Sequence, residues 1–131
     1  MNKKTGLWGF TLVEILIVVG ILALLSAIAI PNLLRARMSA NDALAQTTLK
    51  TIGKALETYL VTNTGYPGTV DALTTATPPY LNENYFSGTR AGFTFANDIT
   101  SGSYTITATP VNLGQSGTTI YTITTGGVLN P

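Results

Sequence analysis

The segment Phe10–Ile30, FTLVEILIVVGILALLSAIAI, constrains this 131-residue chain more than any other. Only Thr11, Glu14, Gly20 and Ser26 interrupt its apolar residues. As a helix rising ~1.5 Å per residue, it reaches ~31 Å, the thickness of a bilayer's hydrocarbon core. No polar stripe recurs every 3.6 residues, so no helical face is reserved for water. A chain this short could hardly wrap such a helix inside its own core. The segment therefore predicts a single-pass membrane anchor. A cleaved secretory signal is the alternative, with Lys3 and Lys4 ahead of the run and Ala27-x-Ala29 near its end. Two features oppose it: the run exceeds the usual apolar stretch of about 7–15 residues, and a carboxylate, Glu14, sits inside it. Lys3 and Lys4 on one side nearly balance Arg35 and Arg37 on the other, so the positive-inside rule leaves orientation open.

Glu14 needs a reason, because a charge at the centre of a lipid-spanning helix costs a few kcal/mol. The residues around it supply one. GFTLVE, followed by an apolar run ending in AIAIPN, closely resembles the signature of the type IV pilins and the pseudopilins of type II secretion, most of all a type IVa major pilin. The resemblance is strong through about Arg35, extends to about Pro67 and becomes diffuse beyond. It implies a basic leader, Met1–Gly9, removed on the cytoplasmic side after Gly9. Phe10 then becomes the N-terminus and is N-methylated, and Glu14 stands fifth from it. The physics is compatible. A carboxylate in the first helical turn is favoured by the positive end of the helix dipole, and a buried carboxylate needs a countercharge. In the family, Glu14 of one subunit pairs with the Phe10 amine of its neighbour. The bland alternative is a first-turn acid tolerated near the headgroups. Pro31 would end or bend the helix; the resemblance implies helix on both sides of it in the subunit, with unwinding between Ala23 and Pro31 in many filaments. Gly20 is a further weak point.

Beyond Pro31, Leu34, Met38, Ala45, Leu49, Ile52, Leu56 and Tyr59 recur at spacings of three, four and seven, the stripe of an amphipathic helix. Gly53 is a mild defect in it. The stop signals in TNTGYPG end the helix near Thr62. A loop follows from Tyr66-Pro67 through TPPYLNENYFSG, where Pro78-Pro79 forbids helix. The pattern then turns to period two. AGFTFANDI, SYTITATPV and TIYTITTGGV predict three short strands, separated at hairpin distance by NDITSG and NLGQSG. The expected architecture is α+β, the pilin fold: one long N-terminal helix with an apolar and an amphipathic half, packed on an antiparallel sheet of about three strands. The expected divisions are a leader 1–9, an apolar helix 10–31, an amphipathic helix 32–63 and a loop-and-sheet head 64–131.

Composition then excludes much. There is no Cys and no His, so thiolate catalysis, the commonest general base and the commonest transition-metal ligands are missing. Net charge is +1, which opposes a basic nucleic-acid surface. Many pilins close a C-terminal loop with two cysteines, and this chain departs from that pattern. The major pseudopilin usually has a calcium loop after the helix; here Asp71, Glu83 and Asp98 are scattered and read as solvated acids. The aromatics of the head, Tyr66, Tyr80, Tyr85, Phe86, Phe93, Phe95, Tyr104 and Tyr121, read as core and strand packing rather than a stacking path for a ligand. Lys50 and Lys54 lie on the polar helix face and read as solvated rather than catalytic. No metal, cofactor or enzymatic activity is expected.

The resemblance makes the chain a structural subunit of a type IV pilus, processed at Gly9 and Phe10 and polymerised from the bacterial inner membrane, N-terminus cytoplasmic, into a surface filament. Such filaments serve adhesion, twitching motility or DNA uptake. The implied assembly residues are Glu14 and Pro31. The implied partners are further copies of itself, a prepilin peptidase/methylase, an inner-membrane platform protein, an assembly ATPase and an outer-membrane secretin. The alternative is a type II secretion pseudopilin or a minor pilin.

Overall fold

A computed structural model describes residues 9–131. The expected leader, Met1–Gly9, lies outside the described residues except for Gly9. One helix, α1, runs over Leu12–Thr62, 51 residues. The chain divides into two compact units within it, at Arg35/Ala36. Pro31 sits inside α1 without ending it. Its ring removes the N–H that the Ala27 carbonyl, one turn back, would have received.

The two stretches of α1 differ in what they bury. Every residue from Gly9 to Arg37 is exposed. Burial begins at Asp42 and continues through Ala45, Thr48, Leu49, Ile52, Gly53, Ala55 and Leu56, which repeats one helical face. The stripe expected to start at Leu34 therefore starts two turns later, and Leu34 is half open to solvent at 51%. Gly53 is not a defect. A Cβ there would meet Ile123 Cδ1 at 2.6 Å and the Tyr104 hydroxyl at 3.3 Å, so the missing side chain lets the sheet approach the helix.

The second unit is the remainder of α1 with a short helix α2, Asp71–Thr75, and four strands: β1, Phe93–Ile99; β2, Tyr104–Pro110; β3, Tyr121–Thr124; β4, Val128–Asn130. The sheet is antiparallel in the order β1-β2-β3-β4. Phe93 and Phe95 of β1, Tyr104, Ile106 and Ala108 of β2 and Ile123 of β3 face inward onto Leu49, Ile52 and Leu56. The period-two alternation of the sequence puts them there. Each large side chain so buried contributes roughly 1.5–3 kcal/mol. The opposite face carries Thr94 and Thr109 as cross-strand partners, then Thr107 with Thr122 and Thr105 with Thr124. This outer face is a lattice of threonines.

Two elements differ from expectation. The segment TIYTITTGGV is a hairpin rather than one strand. Gly126 and Gly127, at φ 81° and 74°, reverse the chain, and Val128–Asn130 returns as β4. The connection is the three-residue loop Thr125–Gly127, since Thr124 pairs with Val128 and Gly127 N–H donates to the Thr124 carbonyl at 3.0 Å, and its two positive φ values are ones glycine adopts without steric cost. The loop between Tyr66 and Pro78 also contains α2. It forms because Leu73 is buried in the core while its carbonyl accepts the Tyr80 and Leu81 amides, both at 2.9 Å. Five residues are too few to display a helical period.

Candidate assembly site at the start of the long helix

α1 begins at Leu12, and Thr11 is its N-cap: its carbonyl accepts the first intrahelical hydrogen bond, from Ile15 N–H at 3.3 Å. The Thr11 hydroxyl oxygen accepts from Glu14 N–H at 3.2 Å. In return Glu14 Oε2 accepts from Thr11 N–H at 2.7 Å and from the Thr11 hydroxyl at 2.9 Å. This reciprocal capping box satisfies two of the amide hydrogens that a helix start leaves unpaired. Glu14 makes no ion pair among the described residues. Its carboxylate is hydrogen-bonded by its own first turn and has no countercharge among the described residues. Phe10, two residues before the helix, is 84% exposed, and nothing approaches within 4 Å of where a Gly9 side chain would stand. Gly9, Phe10 and Glu14 thus share one end of α1. Pro31 lies 17 residues on from Glu14, ~26 Å along the axis, and belongs to a different region.

The role of Thr11 was not anticipated, yet a signal was available: Thr11-x-x-Glu14 immediately before an apolar run is the capping-box pattern. Beside the Thr11–Glu14 box this end presents apolar surface, with Leu12 81%, Leu16 68% and Val13 61% exposed. Apolar surface of that extent marks a lipid- or protein-contacting region.

Within the head, polar anchors hold the sheet and its loops to α1. Asp42 is 6% exposed, and its carboxylate accepts from Thr118 N–H at 3.0 Å and from the Thr118 hydroxyl at 2.5 Å. One residue earlier, Asn41 Nδ2 donates to the Ser116 carbonyl at 2.8 Å. Gly117, between them, has no side chain because Phe93 and Asp42 occupy its place. Near the other end, Glu57 Oε1 accepts from Tyr66 Oη at 3.0 Å and from Gly126 N–H at 2.8 Å, and the Tyr104 hydroxyl accepts from Gly127 N–H at 3.2 Å. Burial, reinforced by the Glu57 carboxylate, pushes the Tyr66 and Tyr104 phenols above their ordinary range. These anchors explain two helix acids that apolar periodicity could not place.

The scattered acids stay apart. Asp71 and Asp98 are exposed. Glu83 forms a bidentate pair with Arg90 at 2.6 and 2.9 Å, and that guanidinium, which also lies 4.6 Å from the centre of the Tyr85 ring, holds the Glu83 carboxyl below its usual range. The aromatics pack on one another, Tyr66 edge-on to Tyr104 at 5.0 Å and Tyr59 to Tyr80 at 5.2 Å.

Over 106 residues the chain is 35% identical to the type IV wide pilus major component of Thermus thermophilus, a match covering 78% of this chain and 81% of that protein. Over 91 residues it is 36% identical to the type II secretion system core protein G of Vibrio cholerae, covering 67% of this chain and 60% of that protein. The core protein G of Pseudomonas aeruginosa is 38% identical over 65 residues, 50% of this chain and 46% of that protein. No family model matches the chain, and no solved structure matches it.

Proposed function

This chain belongs to the family of type IV pilins and type II secretion pseudopilins, and we propose that within it the chain is the structural subunit of a type IV pilus. The observation that carries the reading is the unburied stretch of α1. From Leu12 to Leu34 an apolar helix has no internal partner, so it needs lipid or further copies of the chain around it. Before assembly it spans the inner membrane once, with Phe10 on the cytoplasmic side. A prepilin peptidase/methylase removes Met1–Gly9 and methylates Phe10. A platform protein and an assembly ATPase then drive extraction into a helical homopolymer, which leaves through an outer-membrane secretin.

Glu14 gives direction to that transfer. In the membrane its carboxylate has only the Thr11 donors; in the filament it gains the cationic Phe10 amine of a neighbour. A charge expensive in lipid and paired in the polymer favours extraction and fixes axial register. Pro31 supplies a place where the helix can open, since one of its carbonyls is already unpaired.

The extent of the matches supports a pilus rather than a secretion pseudopilus: 81% of the pilus component is covered, against 60% and 46% of the two secretion proteins. The pseudopilin reading draws its own support from those same secretion proteins. Intact mass and N-terminal sequencing of material sheared from the cell surface separate the two. Abundant filaments whose subunit starts at methylated Phe10 are expected. Processed protein confined to the membrane would transfer the assignment to a pseudopilin or a minor pilin.

A further inference from the structure

The head has two ends, and its polar anchors mark them. At one end the loop 111–120, between β2 and β3, is held to the start of the head's share of α1. Thr118 bonds to Asp42, Ser116 accepts from Asn41, and Val111 N–H donates to the Gly92 carbonyl at 2.9 Å. Phe93, which begins β1, lies against Gly117 of the same loop. At the other end Glu57 holds Tyr66 and Gly126. Exposed aliphatic residues are not shared evenly between these ends. Outside α1 the exposed large hydrophobic residues among those described are Val111, Leu113, Ile120 and Val128. Three of them belong to the one loop, and Val128 follows the Gly126-Gly127 reversal at the Glu57 end.

Charge divides in the same way. Residues 111–120 contain no acid and no base. Asp42 beneath them is buried by Thr118, and Glu83 is neutralised by Arg90. The exposed charge on the head's share of α1 that lies nearest the loop's anchors is Arg37, four residues before Asn41 and in no ion pair among the described residues. The head's exposed acids outside any such pair lie elsewhere. Asp98 stands at the far end of β1, opposite Thr105. Asp71 begins α2, which leads into the segment 76–80 beside Thr58 and Thr62. One end of the head therefore combines exposed aliphatic residues, uncharged polar neighbours and a single cation.

We propose that before assembly this end rests on the periplasmic leaflet of the inner membrane, with Val111, Leu113 and Ile120 entering the headgroup layer and Arg37 meeting anionic lipid phosphates. The inference rests on the reading of the chain as a single-pass membrane protein before it joins a filament. Eight residues separate Leu34, the last of the apolar stretch, from Asp42, only ~12 Å as helix. The polar layer of a bilayer is about 5–8 Å deep on each side, so the tether holds the loop within reach of it. Interfacial segments bind by burying aliphatic side chains at the boundary between headgroups and acyl chains, with basic residues drawn to anionic lipid. A bilayer surface asks only that the aliphatic residues share an end; it needs no common pocket for them. The contact is a second hold on lipid, which extraction of the subunit has to release.

The absence of cysteine lets a single dye report on the full-length chain. Gln115→Cys, in the loop but outside its aliphatic residues, is labelled with the polarity-sensitive dye NBD. The chain is reconstituted in vesicles of phosphatidylethanolamine and phosphatidylglycerol, a fraction of them spin-labelled just below the headgroup. The spin label is expected to quench the dye at position 115 and to leave it bright on Val128→Cys at the other end. Leu113→Asp should abolish the quenching at 115, and phosphatidylcholine in place of phosphatidylglycerol should weaken it. Equal emission at 115 and 128, with a dye on Ile17→Cys quenched, overturns the lipid contact and leaves the membrane anchor standing. A blue-shifted dye at 115 beyond the reach of the spin label assigns the loop to a protein neighbour and overturns it as well. Quenching that survives Leu113→Asp removes the aliphatic residues from the contact, and the proposal with them; quenching indifferent to lipid charge strikes Arg37 from it. A dye on Ile17→Cys that is not quenched overturns the anchor itself, and the contact falls with it.

Discussion

The first 23 residues of α1, Leu12–Leu34, and the stretch Asp42–Leu56 share one secondary structure and follow opposite rules. The first is apolar on all sides and buries nothing. The second alternates, and its apolar side is covered by β1, β2 and β3. Helix formation is the same in both; what differs is which solvent each was selected for. Polar residues differ accordingly. In the first stretch the acid, Glu14, is tied only to its own turn among the described residues. In the second, Asp42, and Glu57 just past its end, reach out to loops 76 and 69 residues away in sequence. Local satisfaction leaves a group free to be re-partnered, whereas long-range satisfaction locks a fold.

Substitutions can break that contrast. Glu14→Val should lower filament yield on the order of a hundredfold, the effect of deleting one member of a buried charge pair. Membrane insertion and leader removal should be intact by immunoblot of membrane fractions; filaments at wild-type level would sink the pairing. Leu56→Ala should do the reverse, costing the head about 2–5 kcal/mol in denaturant unfolding through the cavity it leaves, with leader processing unchanged. A chain beginning at Asn32 should be a monomer in sedimentation, because the unburied apolar stretch is gone; polymerisation would show that the sheet-bearing part assembles by itself.

Smaller effects sharpen the picture of the head. The Tyr104 phenol is held above its ordinary value of about 10. Its neutral form is the one the fold favours, so its contribution is complete below that value and is lost as pH rises through the folded pKa. Tyr104→Phe should flatten the alkaline fall in melting temperature and cost about 1 kcal/mol at neutral pH through the hydrogen bond from Gly127. An unchanged alkaline slope would assign the transition to another group. The smallest change concerns Ala91, a non-glycine residue at φ 49°. Ala91→Gly should raise stability by up to about 1 kcal/mol, since the left-handed region penalises a Cβ; a lower melting temperature would mean that the methyl group packs usefully.

Much of this was legible in the chain. The apolar run, the helix end at Thr62 and strands starting at Phe93 and Tyr104 follow from period, stop signals and turn residues. The capping partner Thr11 was equally legible, since the whole motif lies within four residues. The late start of the buried stripe was not: Leu34 and Asp42 obey the same spacing, and only the placement of the sheet decides which is covered. Asp42 shows the limit most clearly. An acid inside a helical stripe reads as polar surface, and its burial depends on the Thr118 donors of a loop 76 residues away. The Gly126-Gly127 reversal was written in the sequence, but β-branched Thr124 and Thr125 before it and Val128 after it made the segment look continuous.

The threonine lattice on the outer side of the sheet separates two tasks that most proteins load onto the same residues. β-branching gives these strands their conformation, while the side chains that hold the head together all lie on the other side. The outward positions can therefore be rewritten without touching the interior. In the filament proposed above, every outward position left clear of subunit contacts recurs with each copy, so a single exchange from hydroxyl to charge or to aliphatic is multiplied along it. The architecture keeps its exterior vocabulary open while its interior grammar stays fixed.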